Sequence, residues 1–274
     1  MVTKIMLVTI GVYLIQLLAE PVGGGDSVIF RWLALERSLL FESGQIWRLV
    51  TYAFCHSETQ PLHITCNMLA LFFLGRTVVQ TLGRREFLAF YLSAAAVGGM
   101  LQVSAMAIRG LPGEDWTIGA SGAVCAVFML FAMYYPRVRL YVFGLIPLQT
   151  RWLLAAALVY DGLGLFGLAP GLMDDNGSGI GHAAHLGGFT FGFLYFRMHM
   201  NLTGWLERWQ RVPQHTTIRQ PNLKVFNPGS QPEIDYETRL DEILEKISRE
   251  GEASLTERER RILNQASEFM RSRR

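Results

Sequence analysis

Gly119-Ala120-Ser121-Gly122 opens an apolar run that continues from Ala123 to Tyr135. A run of this kind, with a Gly-Ala start, is long enough to enter a membrane. Glycines on both sides of the serine let another helix or a substrate backbone come close, and the serine lies near a helix N-terminus, where free N–H groups can stabilise an oxyanion. That reading points to acyl chemistry. The same four small residues also make a helix-packing face of the sort common in membrane bundles. The rest of the chain has to decide between the two.

Half of the 274 residues are hydrophobic and the mean hydropathy is +0.23, richer in apolar residues than a soluble domain needs. Charge is unevenly placed. Residues 201–274 carry 13 of the 25 Lys and Arg and 12 of the 23 Asp and Glu, leaving 12 and 11 for the first 200. Residues 1–200 therefore read as a membrane domain, 201–232 as a polar linker containing Pro213, Pro221, Pro228 and Pro232, and 233–274 as a small soluble helical hairpin. A net charge of +2, with acidic and basic residues interleaved in the tail, gives no case for nucleic acid. Cys55, Cys66 and Cys125 are irregularly spaced and form neither a disulfide framework nor a Cys-x-x-Cys metal site.

Six apolar runs stand out: Met1 to Ala19, Leu62 to Gly75, Phe87 to Ile108, Gly119 to Tyr135, Trp152 to Leu168 and Ile180 to Tyr195. They predict an all-α polytopic bundle of six membrane spans. Several are shorter than the roughly 20 residues a straight helix needs, which calls for extension by flanks such as Arg76 to Gly83. Residues 20–60 are too polar to cross and fit a large loop at the interface. Six spans put both termini on one side. Lys4, Arg76, Arg84, Arg85, Arg137, Arg139, Arg151 and Arg197 share that side, which the positive-inside rule makes cytoplasmic. The acidic Glu114, Asp115, Asp174 and Asp175 fall in the outer loops. In the tail, Leu240, Ile243, Leu244 and Ile247 form one helical stripe and Ile262, Leu263, Ala266 and Phe269 another. Gly251 breaks the two, and Ser254 to Glu257 offers an N-cap to the second.

Polar groups inside an apolar span are costly and need a reason. His63 and Asn67 stand at i and i+4 on one face of the second run, and His182 and His185 open the sixth. His185 shares its helix face with Gly188 and Gly192, a base followed by a smooth surface for close packing. Counted from Arg137, Arg197 and Arg76 at the cytoplasmic ends, Ser121, His185 and His63 rise by roughly 24, 18 and 20 Å. All three thus lie in the outer half of a ~30 Å hydrocarbon core. A shared level on three helices favours a site over mere packing.

With these residues in place the chain resembles the rhomboid family of intramembrane serine proteases over residues 1–200. The likeness rests on Trp47-Arg48, His63-x-x-x-Asn67, Gly119-Ala120-Ser121-Gly122 and Ala184-His185-x-x-Gly188-x-x-x-Gly192, in that order. It implies that Ser121 is the nucleophile and His185 its general base, a dyad without a required carboxylate. By the same resemblance, His63, Asn67 and the Ser121 backbone N–H form the oxyanion hole. Gly119, Gly122, Gly188 and Gly192 support the site, and His182 backs His185. Single-span membrane proteins in the lipid bilayer, cut in or near the outer part of the span, are the implied substrates. The implied home is a cell inner membrane. No metal or organic cofactor is implied. The hairpin at 233–274 looks similar to a short C-terminal module of some bacterial rhomboid-like proteins, and its partner is left open.

The chain departs from the family's usual pattern at Cys125, one turn after the serine, where an aromatic residue often stacks on the catalytic histidine. Orientation of His185 then needs another support. His56 lies outside the runs and reads as a loop histidine. Asp161 is the acidic residue inside an apolar run; as the resemblance supplies a dyad, it is expected to be structural, bonded to a neighbouring helix or water, with Asp161→Asn nearly fully active. Competing functions are an inactive rhomboid-like protein that binds transmembrane clients and a small-solute carrier. Retention of Ser121 and His185 argues against the first. The lack of an inverted repeat argues against the second. A soluble Gly-x-Ser-x-Gly hydrolase is excluded by Ala123 at the last glycine position.

Overall fold

The computed structural model describes residues 1–19, 27–110, 116–142, 145–168, 180–210 and 233–272. Contacts divide the chain into two units, Met1–Val212 and Pro213–Arg274. Expectations about Glu114, Asp115, Asp174, Asp175 and the four linker prolines fall outside the described residues.

A helix follows each apolar run of the first unit. Helix α1 is Val2–Leu18. Helix α5, Pro61–Ala70, starts with a proline in the first turn, where a missing N–H costs nothing. It runs through a π-turn at Leu71–Gly75 into α6, Arg76–Leu82, so the expected extension of this short run is present. Gly83, at φ +82°, ends it, and α7 begins at once over Arg84–Ile108. Helix α8 is Ser121–Tyr134, α9 is Thr150–Leu165 and α10 is Ile180–Arg197. Among the described residues, Pro61–Leu82 and Arg84–Ile108 are the two helices long and apolar enough to cross a membrane.

Three short helices fill the segment before α5: α2 at Val28–Leu33, α3 at Arg37–Phe41 and α4 at Arg48–Thr51. Arg48 ties α4 to α2 and to the turn after α3. Its guanidinium donates to the carbonyls of Arg31 (2.6 Å) and Ala34 and to Gln45 Oε1 (2.7 Å), and it lies over the Trp116 ring. A buried guanidinium is tolerable only when its donors are satisfied in this way. Trp47 stacks on Trp32. Strand β1 (Leu35–Glu36) pairs antiparallel with β2 (Trp116–Thr117), tying this segment to the approach to Ser121. A second ribbon, β3 (Arg139–Val142) with β4 (Ile146–Gln149), links α8 to α9. Both ribbons are additions to the all-helical expectation. Strands of two and four residues are too short to show a period of two in the sequence.

The core is the seam between α8 and α10. Helix α8 is buried on nearly all sides, and α10 reaches it through glycines. A Cβ on Gly188 would collide with the Gly122 carbonyl oxygen, and one on Gly192 would stand 2.6 Å from the Ala126 oxygen. On the other side of α10, a Cβ on Gly187 would be 2.9 Å from Gly98 Cα of α7. These obstacles are backbone atoms, so only glycine lets the helices approach this closely.

The expected linker from 201 instead begins with a helix, α11 at Leu202–Gln210. The Glu86 carboxylate accepts from the Leu202 N–H (2.7 Å), the Thr203 N–H (2.8 Å), the Thr203 hydroxyl and the Tyr195 hydroxyl (2.6 Å each). An acid at a helix N-terminus satisfies its orphan donors. In the second unit, α12 (Glu233–Glu250) and α13 (Glu257–Ser272) are separated at Gly251, φ +81°. Thr256 and Glu259 form a reciprocal capping box, and Lys246 of α12 bridges to Glu259 at 3.0 Å.

Candidate active site

Ser121 is the first residue of α8 and is half-buried. The chain enters through Gly119, at φ +114°, a conformation that favours glycine. The Gly119 N–H donates to the Tyr52 carbonyl at 3.0 Å, and a Cβ here would stand 2.7 Å from the His63 ring. The loop therefore needs glycine twice, for its φ and for the room it gives His63.

His185, one turn into α10, places Nε2 2.7 Å from Ser121 Oγ. Its Nδ1 lies 2.9 Å from Asp161 Oδ1 of α9, and the same oxygen is 2.6 Å from His182 Nδ1. Asp161 is 4% exposed. The expected bond from Asp161 to a neighbouring helix is present, but the partner includes His185 itself. The serine and histidine therefore do not stand alone. The His182 ring packs where a Cβ of Gly164 would be, with the Tyr160 ring edge-on to it at 5.3 Å.

On the other side of Ser121, His63 and Asn67 project from α5. Asn67 Nδ2 is 3.2 Å from His56 Nε2, which also accepts weakly from the Ala120 N–H at 3.4 Å. An amide NH2 and a backbone N–H can only donate, so His56 Nε2 carries the lone pair. The second N–H of Asn67 is left for another acceptor. His56 is fully buried, edge-on to His63 at 5.1 Å. It lies in a loop, as expected, but the loop folds inward beside His63 and Asn67 because Gln16 of α1 pairs with both backbone groups of His56 at 3.3 Å.

The structure thus gathers Ser121, His185, His182, His63 and Gly119 directly, and Asn67 through His56. Gly122, Gly188 and Gly192 belong to the helix seam beside them. Residues missed by sequence reasoning are Tyr52, whose hydroxyl donates to Ala95 O at 2.9 Å, and Gln102 of α7, whose Oε1 accepts from the Ala184 N–H at 3.2 Å. The signal for Gln16 and Gln102 was there, since each is an amide side chain within an apolar run. Cys125, Asp161 and His185 put one possible metal-ligand atom each within 4.8 Å. Asp161 already receives two imidazoles and His185 engages Ser121, so hydrogen bonding accounts for the cluster.

The fold and the site define a mostly helical protein with a serine–histidine pair at the centre of a glycine-packed bundle. The Rhomboid domain family matches residues 43–201, more than half of the chain, and the chain belongs to the rhomboid family. Residues 234–268 match a second family, the Family of unknown function DUF6576. Among similar proteins is RHOMBOID-like protein 12, mitochondrial, of Arabidopsis thaliana, 31% identical over 160 residues, 54% of this chain and 45% of that protein. Rhomboid protein 1, mitochondrial, of Saccharomyces cerevisiae is 27% identical over 167 residues, 60% of this chain and 46% of its own. Presenilin-associated rhomboid-like protein, mitochondrial, of Homo sapiens is 31% identical over 142 residues, 51% and 35%. The chain spans less than half the length of each of these relatives.

Proposed function

We propose that the protein is an intramembrane serine endopeptidase that cuts single-span membrane proteins in or near the outer part of their spans. The observation that carries this is the 2.7 Å contact of His185 Nε2 with Ser121 Oγ at the start of a buried helix. Ser121 Oγ attacks the scissile carbonyl carbon while its proton passes to His185 Nε2. The tetrahedral oxyanion is stabilised by His63, the free N–H of Asn67 and the Ser121 backbone N–H at the positive end of α8. Collapse breaks the C–N bond, and His185 gives its proton to the leaving amine. Water then attacks the acyl ester, losing a proton to His185, which returns it to Ser121 as the new carboxyl departs.

Six spans with both termini cytoplasmic place this site toward the outer side of the membrane. The bundle's outer surface supports a lipid setting: Leu7, Val8, Leu14 and Ile15 on α1, Val159 and Leu163 on α9, and Phe193 and Leu194 on α10 are all exposed. Helices α1, α8, α9 and α10, at 17, 14, 16 and 18 residues, span by thinning the bilayer or by their flanks. The test is covalent labelling of the detergent-solubilised protein by a fluorophosphonate, alongside cleavage of a single-span reporter. Labelling at Ser121 that disappears in Ser121→Ala, with cleavage lost in Ser121→Ala and His185→Ala, is expected. A folded wild type that neither labels nor cuts makes the chain a client-binding rhomboid instead.

A further inference from the structure

We infer that Asp161 is a positioning residue for catalysis, so that α8, α9 and α10 supply serine, carboxylate and imidazole of a three-membered relay; this rests on the protease reading of Ser121 and His185. The geometry has three parts. Asp161 Oδ1 lies 2.9 Å from His185 Nδ1, on the far side of the imidazole from Ser121 Oγ at 2.7 Å. The carboxylate is an acceptor, so its bond puts the His185 proton on Nδ1 and leaves Nε2 with the lone pair that must take the serine proton. Once that proton arrives, the imidazolium faces a buried anion.

The second part is how Asp161 is held. His182 Nδ1 gives to the same oxygen at 2.6 Å, and its ring occupies the space that Gly164, one turn further along α9, leaves by having no side chain. His182 stands one turn before His185 on α10, so one helix presents two imidazole donors to one carboxylate. The third part is room. At Cys125 a small side chain faces the pair, with its sulfur within 4.8 Å of the ligand atoms of Asp161 and His185. A bulky group at that level of α8 would occupy the space the carboxylate uses.

A purely structural bolt between α9 and α10 would give the same picture, and the isosteric amide separates the two. Asparagine keeps the volume and can accept or donate a hydrogen bond, but it has no charge to offset the imidazolium. If its NH2 turns to His185, it fixes the wrong tautomer. The experiment compares the full chain in detergent as wild type, Asp161→Asn and His182→Gln. The readouts are kcat and KM on a single-span reporter, the rate of Ser121 modification by a fluorophosphonate, and the melting temperature. For Asp161→Asn, kcat and the modification rate are expected to fall together by about a hundredfold to ten-thousandfold, with KM and melting little changed. His182→Gln is expected to lose less than about tenfold, because the Asp161–His185 bond remains. A folded Asp161→Asn enzyme with kcat near wild type, or a loss confined to KM or melting, overturns the inference. So does a His182→Gln loss as large as that of Asp161→Asn. Should the asparagine variant not fold, Asp161→Ser and Asp161→Leu are measured in the same way, and near-wild-type kcat in either overturns it. A wild type that cuts beside an equally active Asp161→Asn defeats this inference alone. A wild type without cleavage or Ser121 labelling defeats the protease reading and takes the inference with it.

Discussion

His56 is an acceptor whose loss strands two donors. Its Nε2 receives the Asn67 amide and the Ala120 N–H, so His56→Ala leaves both buried groups unpaired and releases Asn67 from its fixed direction. An unsatisfied buried donor costs about 1–3 kcal/mol. We expect His56→Ala to lower both the melting temperature and kcat on a reporter substrate. His63→Ala and Asn67→Ala are each expected to lose on the order of 2.7–4 kcal/mol of transition-state stabilisation, read in kcat, and Asn67→Ala also removes the buried hydrogen bond to His56. Unchanged kcat in all three would remove this side of the site from the chemistry. Ser121, His63, Asn67 and His185 were legible in the sequence because each sits in an apolar run where a polar side chain demands a reason, and helical spacing gives its face. His56 was not, because a loop has no period. What turns it inward is Gln16, forty residues earlier, and no local pattern carries a pairing of that range.

Glycines in this protein differ in what stands opposite them, and that sets how each helix pair tolerates a methyl group. At Gly188 of α10 the obstacle is the backbone oxygen of Gly122, which cannot move without moving α8. Gly188→Ala should therefore cost at least the roughly 1–3 kcal/mol of ordinary overpacking, read as a large drop in melting temperature or loss of the folded protein. At Gly164 of α9 the obstacle is the His182 ring, a side chain that can rotate. Gly164→Ala should fold nearly as well as wild type with His182 pushed off Asp161, and its kcat should match that of His182→Gln. Equal melting temperatures for wild type and Gly188→Ala would disprove the tight seam. The six long helices were legible as apolar runs, down to the need to extend the second through Arg76–Leu82. Helix α11 was not, because its composition is mixed. Its start is fixed by Asn201, whose Oδ1 accepts from the Gly204 N–H at 2.8 Å, together with the distant Glu86 carboxylate, which no local pattern announces.

For the molecule as a whole, charge and burial divide at different places. Acidic and basic residues become dense from about 201, yet the first unit continues to Val212. Beyond it, the α12–α13 hairpin has its own electrostatic latch at Glu259, which is held down to about 2 by the Thr256 N–H, the Thr256 hydroxyl and the Lys246 ammonium. A depressed carboxyl contributes stability that is complete above its unfolded value, ~4.3, and is lost as pH falls through the folded value. Amide exchange protection in α13 should thus hold at neutral pH and weaken between about 4 and about 2. Glu259→Gln should lack that acid-dependent loss; an identical pH dependence in the variant would show that other groups set it.

The same offset between charge and burial decides where the chain can be cut. Removing residues 213–274 takes away the second unit and leaves α11 with its first turn bound to Glu86. That truncation is expected to keep the melting temperature of the membrane unit and its kcat in detergent. A cut after residue 200 looks as reasonable from composition, but it removes the Leu202 N–H, the Thr203 N–H and the Thr203 hydroxyl from a carboxylate that, among the described residues, then keeps Tyr195. Hydrogen bonds to a charged group contribute about 1.5–3 kcal/mol each. Glu86 opens α7 and Tyr195 lies on α10, the helix that carries His185, so loosening this corner reaches that helix by its far end. The shorter truncation should melt several degrees lower and lose activity on warming before the longer one does. Equal thermal inactivation of the two would make α11 dispensable. Failure of the longer one while folded would bring the tail into the mechanism.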